Sequence, residues 1–352
     1  MAATDGRKRR TWSAFGEVRR MPSEYEIVTE GTNWTLREGR RAALEQNPSS
    51  PANQWFMTYR DGSALEVPSW NAFRDPDHLT YRTYVAIQSE QEHAVAGALD
   101  EYSDHGHDGQ LPNDWVQLLQ MLFTTTRFPL HAAQQVQAYI AYMSPSPYIM
   151  NAASFAAADL LRRVSLVAYR TREIQLARPE AADATIERQL WQDHEAWQPA
   201  RKLIETAMVA YDWAEAFTAM NLVILPTLDE LLLGELRRVA HARGDDLTWI
   251  LLGYLNTDSE RRARWSAALA TFSLQQRPDN RTVFAKWIEK WAARTDPAIE
   301  ALAGSLMAVD PDGRTSAELA RAAVAARRRL HELSGIVSSQ VAADEAETVV
   351  TG

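Results

Sequence analysis

Glu90 and His93 are the residues of this chain whose types and spacing most clearly suggest chemistry. Three positions apart on a helix, a carboxylate and an imidazole lie on one face, as carboxylate-bridged di-iron proteins require. Such a site needs two Glu-x-x-His motifs and one further Glu from each of two other helices. Among the eight histidines, His93 alone has a Glu three positions before it. The sequence therefore favours an exposed pair on a helix over a metal ligand.

A denser group of possible metal ligands runs from Asp104 to Asp108 as Asp-His-Gly-His-Asp. These residue types could form a loop that binds a divalent metal. They could also form a polar loop between helices, with Gly106 and Gly109 supplying the turn geometry. The polar loop is favoured, because no other His is placed to complete a site and the chain has no cysteine. The lack of cysteine also excludes disulfides, iron–sulfur clusters and cysteine nucleophiles.

Three further groups of residues have a structural and a functional interpretation. Trp265, Trp287 and Trp291 fall on predicted helices, which is typical of core or interface positions rather than of a ligand cage. The basic run at residues 7–10 indicates a solvated arm rather than a targeting or nucleic-acid signal. The basic run at residues 327–329 indicates a solvated helix face rather than a surface for an acidic partner. The sequence contains no phosphate-binding, dinucleotide-binding, serine-hydrolase or H-E-x-x-H signature.

Composition sets limits on where the protein works. The chain has 352 residues, 46% of them hydrophobic, and a net charge of −9, which argues against non-specific nucleic-acid binding. The N-terminus has no apolar segment typical of a secretory signal. The most apolar stretch, residues 221–233, is too short to span a bilayer and contains Pro226, Asp229 and Glu230. We expect a soluble, cytoplasmic protein with no membrane partner.

The elements that must position these residues are helices. Residues 1–80 hold prolines, glycines and Trp12, Trp34, Trp55 and Trp70 without a sustained helical period, which predicts an extended arm that lies on its own core or on partner subunits. The helical period of the apolar residues over 81–310 predicts an all-α bundle of long helices. Residues 311–352 are predicted to form a C-terminal helix with a frayed tail. After the arm, the first two predicted helices begin near residue 79 and near residue 112. A helix predicted over 213–225 is kinked or restarted by Pro226 and continues toward residue 241. The other predicted helices cover 129–145, 155–176, 186–211, 246–255, 258–272, 283–294, 297–307 and 316–333.

Three stretches together resemble the β subunit of the oxygenase component of bacterial multicomponent monooxygenases, in the toluene, isoprene and alkene group. The first is RRMPSEYEIVT at residues 19–29. The second is WNAFRDP at residues 70–76, continuing as LTYRTY from Leu79 to Gln88 and Glu92. The third, YRTRE at residues 169–173, would be weak alone. The resemblance extends from about Thr11 to beyond Trp265.

The resemblance implies a ferritin-like helical fold and a non-catalytic, supporting role. In this family the α subunit carries the di-iron centre and the β subunit does not. The oxygenase is usually a dimer of αβγ units that hydroxylates or epoxidises hydrocarbons with O2 and electrons from NADH. It works with a reductase, often a ferredoxin, and a small effector protein. The arm of the β subunit usually wraps a neighbouring subunit.

One stretch of the sequence indicates a lost metal site. The second metal-binding helix of the α subunits typically reads Asp-Glu-x-Arg-His, and residues 258–262 here read Asp-Ser-Glu-Arg-Arg. Ser259 stands where the Glu ligand would be, and Arg262 stands where the His would be. We therefore expect no catalytic, cofactor-binding or metal-binding residue in this chain. The alternatives are a di-iron oxidase or oxygenase in its own right, which the single Glu-x-x-His opposes, and an unrelated helical scaffold, which the three stretches oppose.

Overall fold

Helices make up the regular structure of the part of the chain that the computed structural model describes, residues 22–30, 32, 49–180 and 185–337. No strand occurs in that part, as the all-α prediction requires. We label the α-helices in chain order: α1 Glu24–Thr29, α2 Pro51–Phe56, α3 Tyr81–Asp104, α4 His107–Gln110, α5 Asn113–Leu122, α6 Arg127–Met143, α7 Pro147–Ala177, α8 Ile186–Asp193, α9 Gln198–Ala207, α10 Trp213–Ala242, α11 Asp246–Gln276, α12 Asn280–Met307 and α13 Ser316–Leu333.

Helix α10 runs through the core and packs against α11, α12 and α13. Two π-helical segments, Thr218–Ile224 and Glu230–Glu235, lie on either side of Pro226. The sequence predicts a kink or a restart at this proline, but the helix is continuous from Trp213 to Ala242. By length and composition α10 could cross a membrane, but 89% of its most apolar window is buried inside the protein. Its apolar character is that of a core helix.

Several predicted helix ends differ from the structure for reasons of local chemistry. The two segments predicted on either side of Pro297 form one helix, because a proline removes only one backbone donor and the long flanking segments pack on the core. The helix predicted over 186–211 is instead broken into α8, a 3₁₀ turn at Glu195–Trp197, and α9, whose first turn contains Pro199. The C-terminal helix begins and ends as predicted, with Thr315 and Glu318 forming a capping box.

The described part of the arm packs on the bundle of its own chain. Phe73 is 1% exposed and its ring lies 5.8 Å from that of Phe272, while the Trp70 ring meets the Trp213 ring edge-on at 5.0 Å. Two short helices, α1 and α2, interrupt the mostly extended arm that the sequence predicts. Ser23 forms a capping box that starts α1, and an N-capping serine with a proline in the first turn starts α2. Trp12, Trp34 and the basic run at 7–10 lie outside the described residues.

Candidate functional site at the centre of four helices

The centre of the bundle, between α3, α7, α10 and α11, is polar and charged although it is shielded from solvent. Its side chains are at most 9% exposed, except Arg162, whose side chain is 11% exposed. The long helices carry these residues at helical spacing, so that several residues of each helix point inward. The members of this central network are Tyr84, Gln88, Asp159, Arg162, Arg163, Asp229, Asp258, Ser259, Arg261 and Arg262.

One half of the network joins α7 and α11 through two carboxylates. Arg261 Nη2 lies 2.7 Å from Asp159 Oδ1 and 2.7 Å from Asp258 Oδ1, so a single nitrogen bridges both groups. Gln88 of α3 reaches the same two oxygens, with its Nε2 3.0 Å from each. The Tyr84 hydroxyl donates to Asp159 Oδ1 over 2.9 Å. Three helices are therefore tied together around two facing carboxylates.

The other half of the network surrounds Asp229 of α10. Arg163 Nη1 lies 2.6 Å from Asp229 Oδ1, and Arg262 Nη2 lies 2.5 Å from Asp229 Oδ2. The Ser259 hydroxyl donates to the same Oδ2 over 2.8 Å. Both oxygens of this buried carboxylate are thus occupied by charge-assisted donors from α7 and α11, which is the condition under which a buried charge is tolerated.

Arg162 connects the network to the protein surface. It pairs with Asp258 at 2.5 Å inside and with the half-exposed Glu92 at 2.7 Å outside. The four guanidiniums outnumber the three buried carboxylates by one charge, and Glu92 balances that charge at the rim. The network is therefore neutral as a whole.

The carboxylates Asp159 and Asp229, one in each half of the network, have pKa values that are shifted in opposite directions. Burial, together with the negative charge of Asp258, raises the pKa of Asp159 to about 6, although Arg261 opposes both effects. Burial would also raise the pKa of Asp229, but the charges of Arg262 and Arg163 outweigh it and leave that pKa lowered. Asp229 is consequently a fixed anion at neutral pH.

Glu90 and His93, the pair that the sequence singled out, lie on the outer side of α3, away from this network. Both residues are exposed, and His93 Nδ1 lies 2.6 Å from the Ser89 carbonyl oxygen one turn earlier. The sequence contains no second Glu-x-x-His motif that could pair with them.

The cluster from Asp104 to Asp108 spans the junction between α3 and α4, with His105 and Gly106 in the turn itself, as the polar-loop interpretation predicts. Gly106 has a φ of 62° and caps α4, so it supplies the turn geometry. Gly109 does not, because it lies within α4 with an ordinary helical φ, and that part of the prediction is wrong. His107 Nε2 lies 3.0 Å from Asp245, and Asp108 is bound by Arg170.

Asp108 and Arg170 stand at the edge of a cleft of about 450 Å³ between α3, α4 and α7. Arg170 is 1% exposed and forms two parallel 2.8 Å contacts with Asp108 and a 2.6 Å contact with Glu173. Arg170 and Glu173 belong to the third stretch, residues 169–173, so that stretch fixes the turn rather than a ligand site.

The family of this chain follows from its match to a protein-family model. Residues 55–277 match the model for methane, phenol and alkene hydroxylases, which is more than half of the chain. The chain belongs to this hydroxylase family. Membership confirms the family that the three stretches indicated.

Relatives and solved structures from the hydroxylase family are similar to this chain over most of its length. The β subunit of the hydroxylase component of the toluene-4-monooxygenase system of Ectopseudomonas mendocina is 37% identical over 292 residues, 83% of this chain and 89% of that protein. The small hydroxylase subunit of propane 2-monooxygenase from Gordonia sp. (strain TY-5) is 24% identical over 73% of each chain. A structure of toluene 4-monooxygenase with toluene bound superposes with a TM-score of 0.80 at 37% identity, covering 84% of this chain and 97% of that one. A phenol hydroxylase from Pseudomonas sp. OX1 shares the fold, with a TM-score of 0.75 at 19% identity over 89% of this chain and 91% of that one.

The central network of this hydroxylase-family chain does not fit a di-iron centre. A guanidinium cannot ligate a metal and repels it, and four of them fill this space. The positions that the sequence indicated, Ser259 and Arg262, both point inward and bind Asp229 rather than standing ready as ligands. Among the described residues, no group of three or more His, Asp or Glu is placed to hold a metal ion.

Ser259 and Arg262, which the sequence aligns with metal-ligand positions, lie at the centre of the bundle, but their partners on α7 and α10 were not predicted. Asp159-x-x-Arg162 has the same spacing as Asp258-x-x-Arg261, and a search for two carboxylate-x-x-base pairs with Arg allowed as the base would have found both. Asp229 carried another signal, since a carboxylate within the most apolar stretch of the chain must be paired if it is buried.

The other candidates have structural roles in the hydroxylase-family fold. Trp265, Trp287 and Trp291 are all buried in the core, as expected. The basic run at 327–329 is not simply a solvated face, because Arg327 is 7% exposed and pairs with Asp296 at 2.6 Å. Its neighbours Arg328 and Arg329 also lie beside acidic side chains of the same chain.

Proposed function

We propose that this chain is the non-catalytic β subunit of the hydroxylase in a multicomponent hydrocarbon monooxygenase. The observation that carries the proposal is the central network, in which arginines stand where metal ligands would have to converge. The likeness to the toluene-4-monooxygenase β subunit, at 37% identity and with a TM-score of 0.80, supports it. In this role the chain supports and dimerises the catalytic subunit.

The chemistry would then belong to a partner. The α subunit would hold the di-iron centre and would hydroxylate or epoxidise aromatics or alkenes with O2 and electrons derived from NADH. A small γ subunit would complete an (αβγ)2 assembly, served by an effector protein, a ferredoxin and a reductase. The arm, residues 1–80, would pack on partner subunits in addition to its own bundle. We place the assembly in the cytoplasm, without nucleic-acid or membrane partners.

Metal analysis with and without the partner tests this role. The chain would be produced alone and together with the larger hydroxylase subunit from the same genome, and iron would be measured in each sample. We expect iron only in the complex, and oxidation of an aromatic or alkene substrate only when the complex is combined with the γ subunit, the effector protein, the ferredoxin and the reductase. Two tightly bound irons per isolated chain, or a chain that never copurifies with the larger subunit, would contradict the proposal.

A double substitution of the exposed pair provides the control. Glu90→Ala with His93→Ala removes the one Glu-x-x-His motif from the outer side of α3. The iron content and the turnover of the complex should change less than about twofold, since neither residue reaches the central network. A complex that loses its iron through this change would overturn the assignment.

A further inference from the structure

The cleft between α3, α4 and α7 carries an excess of negative charge. Arg170 is shared by the carboxylates of Asp108 and Glu173, at 2.8 and 2.6 Å, so its single positive charge leaves one negative charge unbalanced. Between Arg82 and Arg127, the stretch that contains α3 and α4, the sequence has seven Asp or Glu and no Lys or Arg. A cleft of this charge attracts a cationic group.

Exposed acids stand beside the cleft on α3. Asp100 and Asp104 directly follow two residues that line it, and both are exposed. The charge of Glu173 is the main cause that raises the pKa of Tyr169, and burial and the charge of Asp100 add to it, so the negative field reaches the mouth of the cleft. Arg172, which is exposed one turn after Tyr169 on α7, does not line the cleft.

Large apolar side chains are exposed at the cleft and at the start of α3. Tyr169 and Leu176 line the cleft and are 53% and 64% exposed, and Leu161 shares their face of α7 because the three recur at helical spacing. Tyr81 and Val85 are exposed where the arm joins α3. A partner of this surface therefore has apolar side chains as well as cations.

The arm of this chain has the complementary side chains. Its basic run Arg-Lys-Arg-Arg at residues 7–10 is followed by Trp12, Phe15 and Val18 at intervals of three residues. These residues lie outside the described part of the chain. Four cations next to a tryptophan match an acidic cleft with exposed apolar side chains at its mouth.

The arm is also long enough to bring its basic run to the cleft of the same molecule. The described part of the chain begins at Pro22, and Glu24 pairs with Arg82 at the start of α3 over 3.1 Å. Ser103, which lines the cleft, lies about 32 Å farther along α3 at 1.5 Å per residue. The segment from Trp12 to Pro22 spans about 33–36 Å when it is extended. A nearly extended segment therefore reaches from the start of α3 to the cleft.

We propose that the basic run at residues 7–10 docks on the acidic cleft of its own chain, with Trp12 packed against Tyr169 and Leu176. The segment that follows, residues 13–21, covers the exposed apolar side chains at the start of α3. This contact lies within one chain and stands apart from the assignment of the chain as a hydroxylase subunit, so either can fail without the other.

Disulfide trapping tests this contact, because the chain has no cysteine of its own. Thr11→Cys would be combined with Ser103→Cys in the full-length chain, and disulfide formation in a glutathione buffer would be followed by nonreducing electrophoresis and mass spectrometry. Each rate would be divided by the rates at which the two single-cysteine chains react with hydroxyethyl disulfide, which corrects for thiol reactivity. We expect a disulfide within one chain, formed about tenfold faster than by Thr11→Cys with Glu205→Cys, an exposed position on α9.

Charge reversal supplies the matched control. Asp100→Lys with Asp104→Lys should slow the corrected rate about tenfold, and adding Arg9→Glu with Arg10→Glu should restore about half of it or more, because opposite charges then face each other again. Raising KCl from about 0.05 to about 0.5 M should slow the original pair in the same direction, since salt screens the attraction. Equal corrected rates in the original and charge-reversed chains would overturn the proposal. A disulfide that joins two chains would also overturn it, because the basic run would then dock on a second copy.

Discussion

His331 on α13 donates a hydrogen bond from Nε2 to the carbonyl oxygen of Leu222 on α10, over 2.7 Å. Leu222 stands four residues before Pro226, and proline has no N–H that could serve this carbonyl. His331 is 5% exposed, so the contact is shielded from water. The C-terminal helix therefore supplies the donor that the proline removes, and this hydrogen bond ties α13 to the core helix.

The protonation of His331 should make the stability of the fold depend on pH. Burial is the main cause that lowers its pKa from 6.5 to about 4, and the nearby charge of Arg327 adds to it. Between those values the unfolded chain binds a proton that the folded chain does not. The contribution is complete above about pH 6.5 and is lost as the pH falls toward 4, by up to about 3 kcal/mol.

Urea unfolding at pH 7.5, 6 and 5 would measure this effect, with His331→Gln as the comparison. The glutamine amide can donate to Leu222 without titrating, so the variant should stay folded at pH 7.5 and lose less stability on acidification than the wild type. Identical pH dependence of the two chains would show that His331 is not the group responsible.

The extent of α13 was predictable from the sequence because its signals are local. Thr315 and Glu318 mark its start, and its apolar residues recur at helical spacing. The partner of His331 was not predictable, since Leu222 is 109 positions away and offers only a backbone carbonyl. The same distinction applies to α1, where the absence of a long apolar period hid a six-residue helix started by a single serine cap.

The central network was predictable only in part, for a related reason. Asp and Arg at i and i+3 on a helix ordinarily indicate an exposed pair, and nothing in Asp159-x-x-Arg162 by itself shows that it is buried. Burial follows from the packing of α7 against α10 and α11, and Asp229 meets Arg163 across 66 positions. Residues 258–262 were recognised because the resemblance to a metal-binding motif supplied what local periodicity could not.

Removing the charge of Asp229 should destabilise the fold strongly. Asp229→Asn keeps the shape of the side chain but leaves the buried Arg163 and Arg262 without their shared anion. We expect the free energy of unfolding at pH 7 to fall by about 3–5 kcal/mol, measured by urea unfolding. Asp77→Asn, which breaks a more exposed pair with Arg264, should cost less than about 1 kcal/mol. Similar small losses for both would mean that the central pair contributes little.

The contact between the arm and the bundle should depend on Phe73. Its ring is 1% exposed, and Phe73→Ala removes that buried volume, at an expected cost of about 3–5 kcal/mol in the free energy of unfolding. Tyr81→Ala, at a site that is 76% exposed, should change it by less than about 0.5 kcal/mol. Limited proteolysis provides a second measurement, since the arm of Phe73→Ala should be cut faster. Equal unfolding energies and equal cleavage would contradict a structural role for this ring.

Arg170 should not tolerate replacement by lysine, although the charge is kept. Its guanidinium makes two parallel contacts with Asp108 and a third with Glu173 while it is 1% exposed, and a single ammonium group cannot reproduce that geometry. We expect Arg170→Lys to lower the free energy of unfolding by about 2–4 kcal/mol and to speed hydrogen exchange in the turn at residues 104–110. Arg172→Lys, two positions away and exposed, should change either quantity little. If both variants exchange at the wild-type rate, the turn is held by the other contact at its base, between His107 and Asp245, rather than by Arg170.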